Sequence, residues 1–342
     1  MTEHPADVHE HHQHAERTRM PRWIAIALAI VFGACTALQS RVNGALAADL
    51  DDAFTAAAIS FGSGLVILAV ALCVWRPGRV GLRRVIAALG ASRLAWWMVL
   101  GGLSGAWFVT TQGLSAGLLG VAMFTVAIVA GQTIGGIVFD LAGLGPGGRR
   151  PLSPTRVLGA VLALAAIAWA VSAQLAHDVP FVVMLLPFAA GLAVSWQQAV
   201  NGRVKAEASS ALTAAFVNFA VGTVALVAAA VVHGVAAGWP ERLPTEPWLY
   251  AGGAIGCIFI AGQALVVRVV GVLLLALCGV AGQLAGALAL DLFLPTGRAV
   301  DAATIGGTLL ALAAVAVASI RWSRHRHRSD VVERPDAVSR SS

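Results

Sequence analysis

Two short stretches decide how this chain is read: Gln39-Ser-Arg-Val-Asn43-Gly44 and Gln197-Gln-Ala-Val-Asn201-Gly202. Each sets a glutamine and an asparagine four residues apart and closes on glycine, a spacing that puts both amides on one helix face. Working outward, Gly33 precedes the first stretch as Gly191 precedes the second, and Phe61 and Gly64 follow the first as Phe219 and Gly222 follow the second. A further block repeats at an interval seven residues shorter (Gly101 to Gly252, against Asn43 to Asn201). It pairs Gly101, Gly105, Gln112 and Gly120 with Gly252, Gly256, Gln263 and Gly271. It continues by pairing Gly131, Gln132, Gly135 and Asp140 with Gly282, Gln283, Gly286 and Asp291. Leu162-Ala-Leu-Ala-Ala and Leu310-Ala-Leu-Ala-Ala complete the match. So many in-register glycines and amides in an apolar background mark two related halves.

The background itself names the solvent. Of 342 residues, 58% are hydrophobic and 12% charged, where soluble domains carry roughly 25% charged residues. Mean hydropathy is +0.81. A water-soluble globule is excluded, and so is a disordered chain, which needs low hydrophobicity and high charge. Charge-free runs fall at Trp23–Ser40, Ala53–Trp75, Leu94–Phe139, Val157–His177 and Val179–Gly202, then at Ala208–Pro240, Pro247–Val267, Val269–Leu290 and Ala302–Ile320. A helix crosses roughly 30 Å of hydrocarbon with about 20 apolar residues. Most runs therefore make one crossing. Leu94–Phe139 is long enough for two, with a break expected around Gly117–Gly120, and Ala208–Pro240 reads as one span followed by a polar-edged loop. The dyad alternation of a membrane β-barrel is absent.

The expected fold class is an all-α polytopic membrane protein with ten transmembrane helices. Residues 23–176 form the first five-helix repeat and 177–320 the second, between a disordered tail at 1–22 and a disordered basic tail at 321–342. Five is odd, so the second repeat enters the membrane from the opposite side, and the repeats are inverted. With the N-terminus inside, all but three of the 23 Lys and Arg residues fall on cytoplasmic segments, the exceptions being Arg41, Arg242 and Arg298. The positive-inside rule thus places both termini in the cytoplasm. No cleavable signal peptide is evident, because the first 22 residues are polar and His-rich. Cys35, Cys73, Cys257 and Cys278 all lie in apolar runs and pack as small hydrophobes. His4, His9, His11, His12 and His14 lack the spacing of a metal site, so neither metal nor cofactor is expected. The C-terminal Arg/His run suits anionic lipid and a topology anchor; nucleic acid is not an expected partner.

The Gln-Ser/Gln-x-x-Asn-Gly element, Phe61-x-x-Gly64 with Phe219-x-x-Gly222, and Gly131-Gln132-x-x-Gly135 with Gly282-Gln283-x-x-Gly286 together resemble the YdcZ group of the drug/metabolite transporter superfamily. Many members of that group are single five-helix units that pair; this chain resembles a fused two-unit form over roughly residues 23–320. The resemblance implies an inner-membrane carrier of a bacterium, an exporter with a central cavity between its halves. One departure stands out: the second copy has Gln198 and Ala199 where the first has Ser40 and Arg41, so any role of Arg41 is not symmetric.

Several residues could carry the chemistry. Gln39 and Asn43 fall near the outer surface and Gln197 and Asn201 near the inner one. They act as gates at the mouths of a path, or they cap helix ends. Gln132 and Gln283 lie at mid-helix, where an unpartnered amide costs several kcal/mol. They hydrogen-bond a polar solute in a cavity, or bond each other and helix backbones. Gln112, Gln263 and Asn218 are secondary candidates for solute binding. Trp107 and Trp196, away from the interfacial belt, stack on a flat or cationic solute or fill space. The glycine pairs with G-x-x-x-G spacing allow close helix approach and rocking between halves. Asp140 and Asp291 serve as proton-coupling carboxylates or as boundary charges. The inverted repeat points to alternating-access transport of a small polar or amphipathic metabolite or drug. The alternative is a channel or lipid-handling scaffold without active coupling. An enzyme is not expected, because no catalytic constellation recurs on facing helices. The partners expected are the solute and the lipid bilayer, with a homodimer left open.

Overall fold

The computed structural model describes residues 20–170, 181–293 and 302–320, with side chains at 112–126, 167, 170, 181–184, 291 and 303–304 outside the described set. Both tails, including the His cluster, also lie outside it. Among the described residues every regular element is a helix: α1 Arg22–Leu50, α2 Ala53–Val74, α3 Arg76–Gly90, α4 Gly102–Ala142 and α5 Pro154–Ala170, then α6 Phe181–Ala208, α7 Ala211–Ala237, α8 Gly252–Val270, α9 Val272–Phe293 and α10 Ala302–Ser319. Five helical segments are long and apolar enough to cross a membrane: Arg22–Leu50, Ala53–Val74, Ala211–Ala237, Pro247–Val270 and Val272–Leu290.

The two halves begin alike because their turn chemistry is alike. Asp51 and Ser209, at matching positions, both adopt left-handed backbone, with φ of 50° and 53°. The next residue caps the following helix in each case. Asp52 accepts from the backbone N–H of Phe54 (2.8 Å) and Thr55 (3.1 Å), and Ser210 accepts from that of Thr213 (3.2 Å). Each cap satisfies donors that a helix start leaves orphaned.

Equivalent helices then lie side by side and run in opposite directions. For α2 and α7, Asp52 meets His233 at 3.8 Å, the rings of Phe61 and Phe219 lie 5.0 Å apart, and Thr213 Oγ1 donates to Gly78 O at 2.9 Å. For α5 and α10, Thr155 Oγ1 donates to Ile320 O at 3.1 Å, while Gly306 at the other end faces Trp169. In the pair made by the C-terminal part of α4 with α9, Val129 packs on Val280 and Gly136 on Leu273.

The 41 residues of α4 would measure about 60 Å if straight, twice the hydrocarbon thickness. Its contacts show instead that it lies against α6 twice. Gly105 faces Gln197 and Gly135 faces Ser195, while Phe108 and Ile128 both pack at Ala190. The chain therefore reverses direction between Phe108 and Ile128, the stretch in which a break at Gly117–Gly120 is expected, while its backbone stays helical throughout. The second half makes the same reversal at Gly271, where φ is +86°, a value glycine tolerates without strain. Here α8 and α9 flank α1: Gly252, Gly256 and Gly262 face Asn43, Gln39 and Phe32, and Gly282 and Gly286 face Ile30 and Ala34. So α1 of the first half is clasped by α8–α9, and α6 of the second by the two parts of α4.

Two elements differ from expectation. α7 continues through His233 and Gly234 to Ala237, where a loop is expected, because Trp239 folds back over Gly234 and covers its last turn. α3 is an unexpected amphipathic helix. It accounts for the seven-residue mismatch between the repeat blocks, buries Gly78, Gly81, Val85 and Ala88, and exposes Arg76, Arg79, Arg83 and Arg84.

One end of the bundle is basic. There Arg203 donates to the carbonyls of Gly143 and Leu144, Arg150 to those of Arg268 and Val269, and Arg149 to that of Leu141. These arginines supply donors to carbonyls at and just beyond the C-terminal ends of α4 and α8 and complement the helix dipoles. Burial lowers the pKa of Arg150 from its ordinary value, against the opposing pull of Asp140.

Candidate functional site

Small residues bring the helices close enough to leave a shaped space between them. A Cβ added at Gly33 would overlap the Gly279 carbonyl, and one at Gly131 would overlap that of Phe188. Between these seams, the two clasped helices and their clasps enclose a cavity of about 320 Å³. Its walls come in matched pairs: Gln39 with Gln197, Gln132 with Gln283, Phe61 with Phe219, Phe108 with Phe259, and Ser40 with Gln198. Gln263 also lines it; its partner Gln112 has its side chain outside the described residues. No charged side chain stands among the described lining residues.

The cavity is lopsided along its axis. On α1 the lining continues past Asn43 to Gly44 and Ala47, and then to Ala53 on α2. On α6 it stops at Gln197 and Gln198. Beyond that floor, Gln197 Nε2 donates to Asn218 Oδ1 (3.3 Å) and Asn218 Nδ2 to Asn201 Oδ1 (3.2 Å), with all three residues buried. At the other end Ser60 stands where Asn218 stands in the second half. There Gln39 Nε2 donates to the Gly252 carbonyl at 3.0 Å, and Asn43 Oδ1 and Ser60 Oγ are buried without a hydrogen-bond partner.

Of the residues singled out from sequence, the structure brings Gln39, Asn43, Gln132, Gln197, Gln263 and Gln283 to one cavity, with Asn201 and Asn218 behind its floor. It brings neither tryptophan there. Trp196 stacks on Trp97 at 6.3 Å, and Trp107 is 41% exposed on the outer face. Each lies on its helix next to a cavity-facing stripe, not in it, a placement that fits the space-filling alternative. Four phenylalanines supply the aromatic surface instead. Phe108 and Phe259 are absent from the sequence-based candidates, although they match at the interval of the second repeat block. Gln198 stands out in the sequence only as a departure from symmetry.

Asp140 is not a cavity residue either. Its carboxylate accepts from the backbone N–H of Val272 (2.9 Å) and Leu273 (3.2 Å) and pairs with Arg156. Both oxygens are thereby engaged at the start of α9 and in the first turn of α5, an arrangement that fits the boundary-charge alternative. The side chain of Asp291 lies outside the described residues. Arg41, unmatched in the second half, donates to the Leu290 carbonyl at 3.4 Å, in the last turn of α9.

Comparison with known proteins agrees with this architecture. A crystal structure at 20% identity, with a TM-score of 0.55, aligns over 87% of this chain and 96% of its own, a likeness of fold alone. No curated protein matches. The family model described as "Putative inner membrane exporter, YdcZ" matches residues 24–169 and again 182–317. The chain thus carries the family unit twice and belongs to the YdcZ family of inner-membrane exporters in the drug/metabolite transporter class.

Proposed function

We propose that the chain is an alternating-access secondary carrier built from ten membrane crossings in two inverted five-helix repeats, and that it exports a small polar or amphipathic solute. The observation that carries this reading is the cavity whose wall is made of matched residues from both halves. A site on a pseudo-twofold axis is presented equivalently to either side when the halves rock. The antiparallel packing of α2 with α7 and of α5 with α10 supports the inversion. With the basic end in the cytoplasm, both termini are cytoplasmic. The cavity then extends outward, and the Gln197–Asn218–Asn201 cluster closes the inner side. The solute and the lipid bilayer are the partners of this carrier, and a second copy is compatible with it.

Vesicles containing the purified chain, loaded with the leading hit of a metabolomic comparison of cells with and without the protein, test the proposal. The expected result is saturable flux, abolished by combining Gln132→Leu with Gln283→Leu at unchanged expression. Non-saturating conductance would establish a channel and overturn the carrier.

A further inference from the structure

We infer that the cavity selects an uncharged solute, one that presents hydrogen-bonding groups to a ring of side-chain amides and a flat apolar body to phenylalanines. The inference deepens the carrier reading and rests on it for the cavity's role. Its warrant is the chemistry of the wall. Gln39, Gln132, Gln197, Gln198, Gln263 and Gln283 each offer a donor and an acceptor on one planar group. Phe61 and Phe219 stand 5.0 Å apart at 31° beside them, and Phe108 and Phe259 add two further rings.

Buried charges among the described residues are spent elsewhere. Arg149, Arg150 and Arg203 bond helix-terminal carbonyls, Asp140 holds Arg156 and the start of α9, and Asp52 caps α2. An ion moved from water into a site without a countercharge loses solvation that amide dipoles restore only in part. A neutral amide or hydroxyl compound trades its water hydrogen bonds for equivalent ones. At 320 Å³ the space sits at the small end of the roughly 300–1,000 Å³ range of ligand sites, which fits a single-ring solute. Because no described lining group is ionisable, binding of such a solute is independent of pH.

Benzamide, benzoate and benzamidinium form a matched series that differs in charge and hardly in shape. Their binding to the full chain in lipid nanodiscs, measured by calorimetry at about pH 6 and about pH 8, tests the inference. Benzamide is expected to bind at least about tenfold more tightly than either ion, with the same affinity at both pH values. Gln132→Glu should move the preference to benzamidinium, a gain that a misfolded variant cannot mimic. Equal or tighter binding of either ion to the unaltered chain overturns the inference, and so does binding by none of the three. Selective benzamide binding without saturable flux would sink the carrier reading alone; saturable flux of an ion would sink this inference and spare the carrier.

Discussion

The two ends of the cavity are built from equivalent residues and finished differently. At the basic end Gln197, Asn218 and Asn201 form a closed amide chain, buried and mutually bonded. At the opposite end Ser60 replaces the middle asparagine, Gln39 turns to a backbone carbonyl, and Asn43 Oδ1 is left buried without a partner. One side-chain difference thus separates a bonded amide chain from an unbonded set, although Gln198 Oε1 in the floor is also buried without a partner, and the cavity extends toward the Ser60 side. Equivalence of sequence sets the scaffold, while a local exchange such as Asn218 for Ser60 sets how the polar groups at each end are bonded.

The harshest way to break the comparison is to dissolve the basic end. Asp140→Ala leaves Arg156 and two N–H groups of α9 without their acceptor, and removal of one partner of a buried pair costs about 3–5 kcal/mol. Thermal unfolding in nanodiscs should show that loss; an unchanged melting temperature would mean that these contacts do not hold the basic end together.

Next come the seams that both ends share. A Cβ at Gly102 would overlap the Asn218 carbonyl and one at Gly253 that of Ser60, so Gly102→Ala and Gly253→Ala should each cost about 1–3 kcal/mol. The two losses should be nearly equal. A large gap between them would show that the seams are not equivalent.

The amides themselves sharpen the contrast. Asn218→Leu orphans Gln197 Nε2 and Asn201 Oδ1 and should destabilise by about 1–3 kcal/mol. Ser60→Ala removes a hydroxyl that has no partner and should stay within about 0.5 kcal/mol. Denaturation of the two variants side by side checks the order. A costlier Ser60→Ala would mean that the Ser60 end, not the basic one, holds the stronger polar contacts.

The subtlest change exchanges the finish of the ends. Ser60→Asn combined with Asn218→Ser should shift the balance of open and closed ends by about tenfold. Labelling of a cysteine at the cavity-lining Val194, with the native cysteines replaced, reads this from each side of the membrane. Labelling from the basic side should rise; unchanged rates would mean that the amide chain does not hold that end closed.

Much of this was legible in the residues. The repeat intervals mark the two halves, and six of the amides that share them, Gln39, Asn43, Gln132, Gln197, Gln263 and Gln283, line the cavity. Distance from the interfacial belt does not say which way Trp107 and Trp196 point, because a shift of one residue turns a side chain by about 100° on a helix, here out of the cavity-facing stripe. The partners of Asp140 are not legible in its own segment, because the groups that engage it, Arg156 and the start of α9, belong to other segments. α3 escaped because its four arginines interrupt the apolar runs by which spans are counted, though its buried Gly78, Gly81, Val85 and Ala88 keep a helical period.

By itself the sequence determined the solvent of this protein, its twofold internal likeness and its stock of amides and glycines, because hydropathy and spacing are properties of one chain segment at a time. Only the tertiary structure decided that the two motifs fit one another across the halves. Gln39 and Asn43 dock on Gly256 and Gly252, as Gln197 and Asn201 dock on Gly105 and Gly101. A periodic pattern states which residues share a face of a helix. Which other face it meets depends on close approach, and close approach requires the missing Cβ atoms of one helix to coincide with the side chains of another.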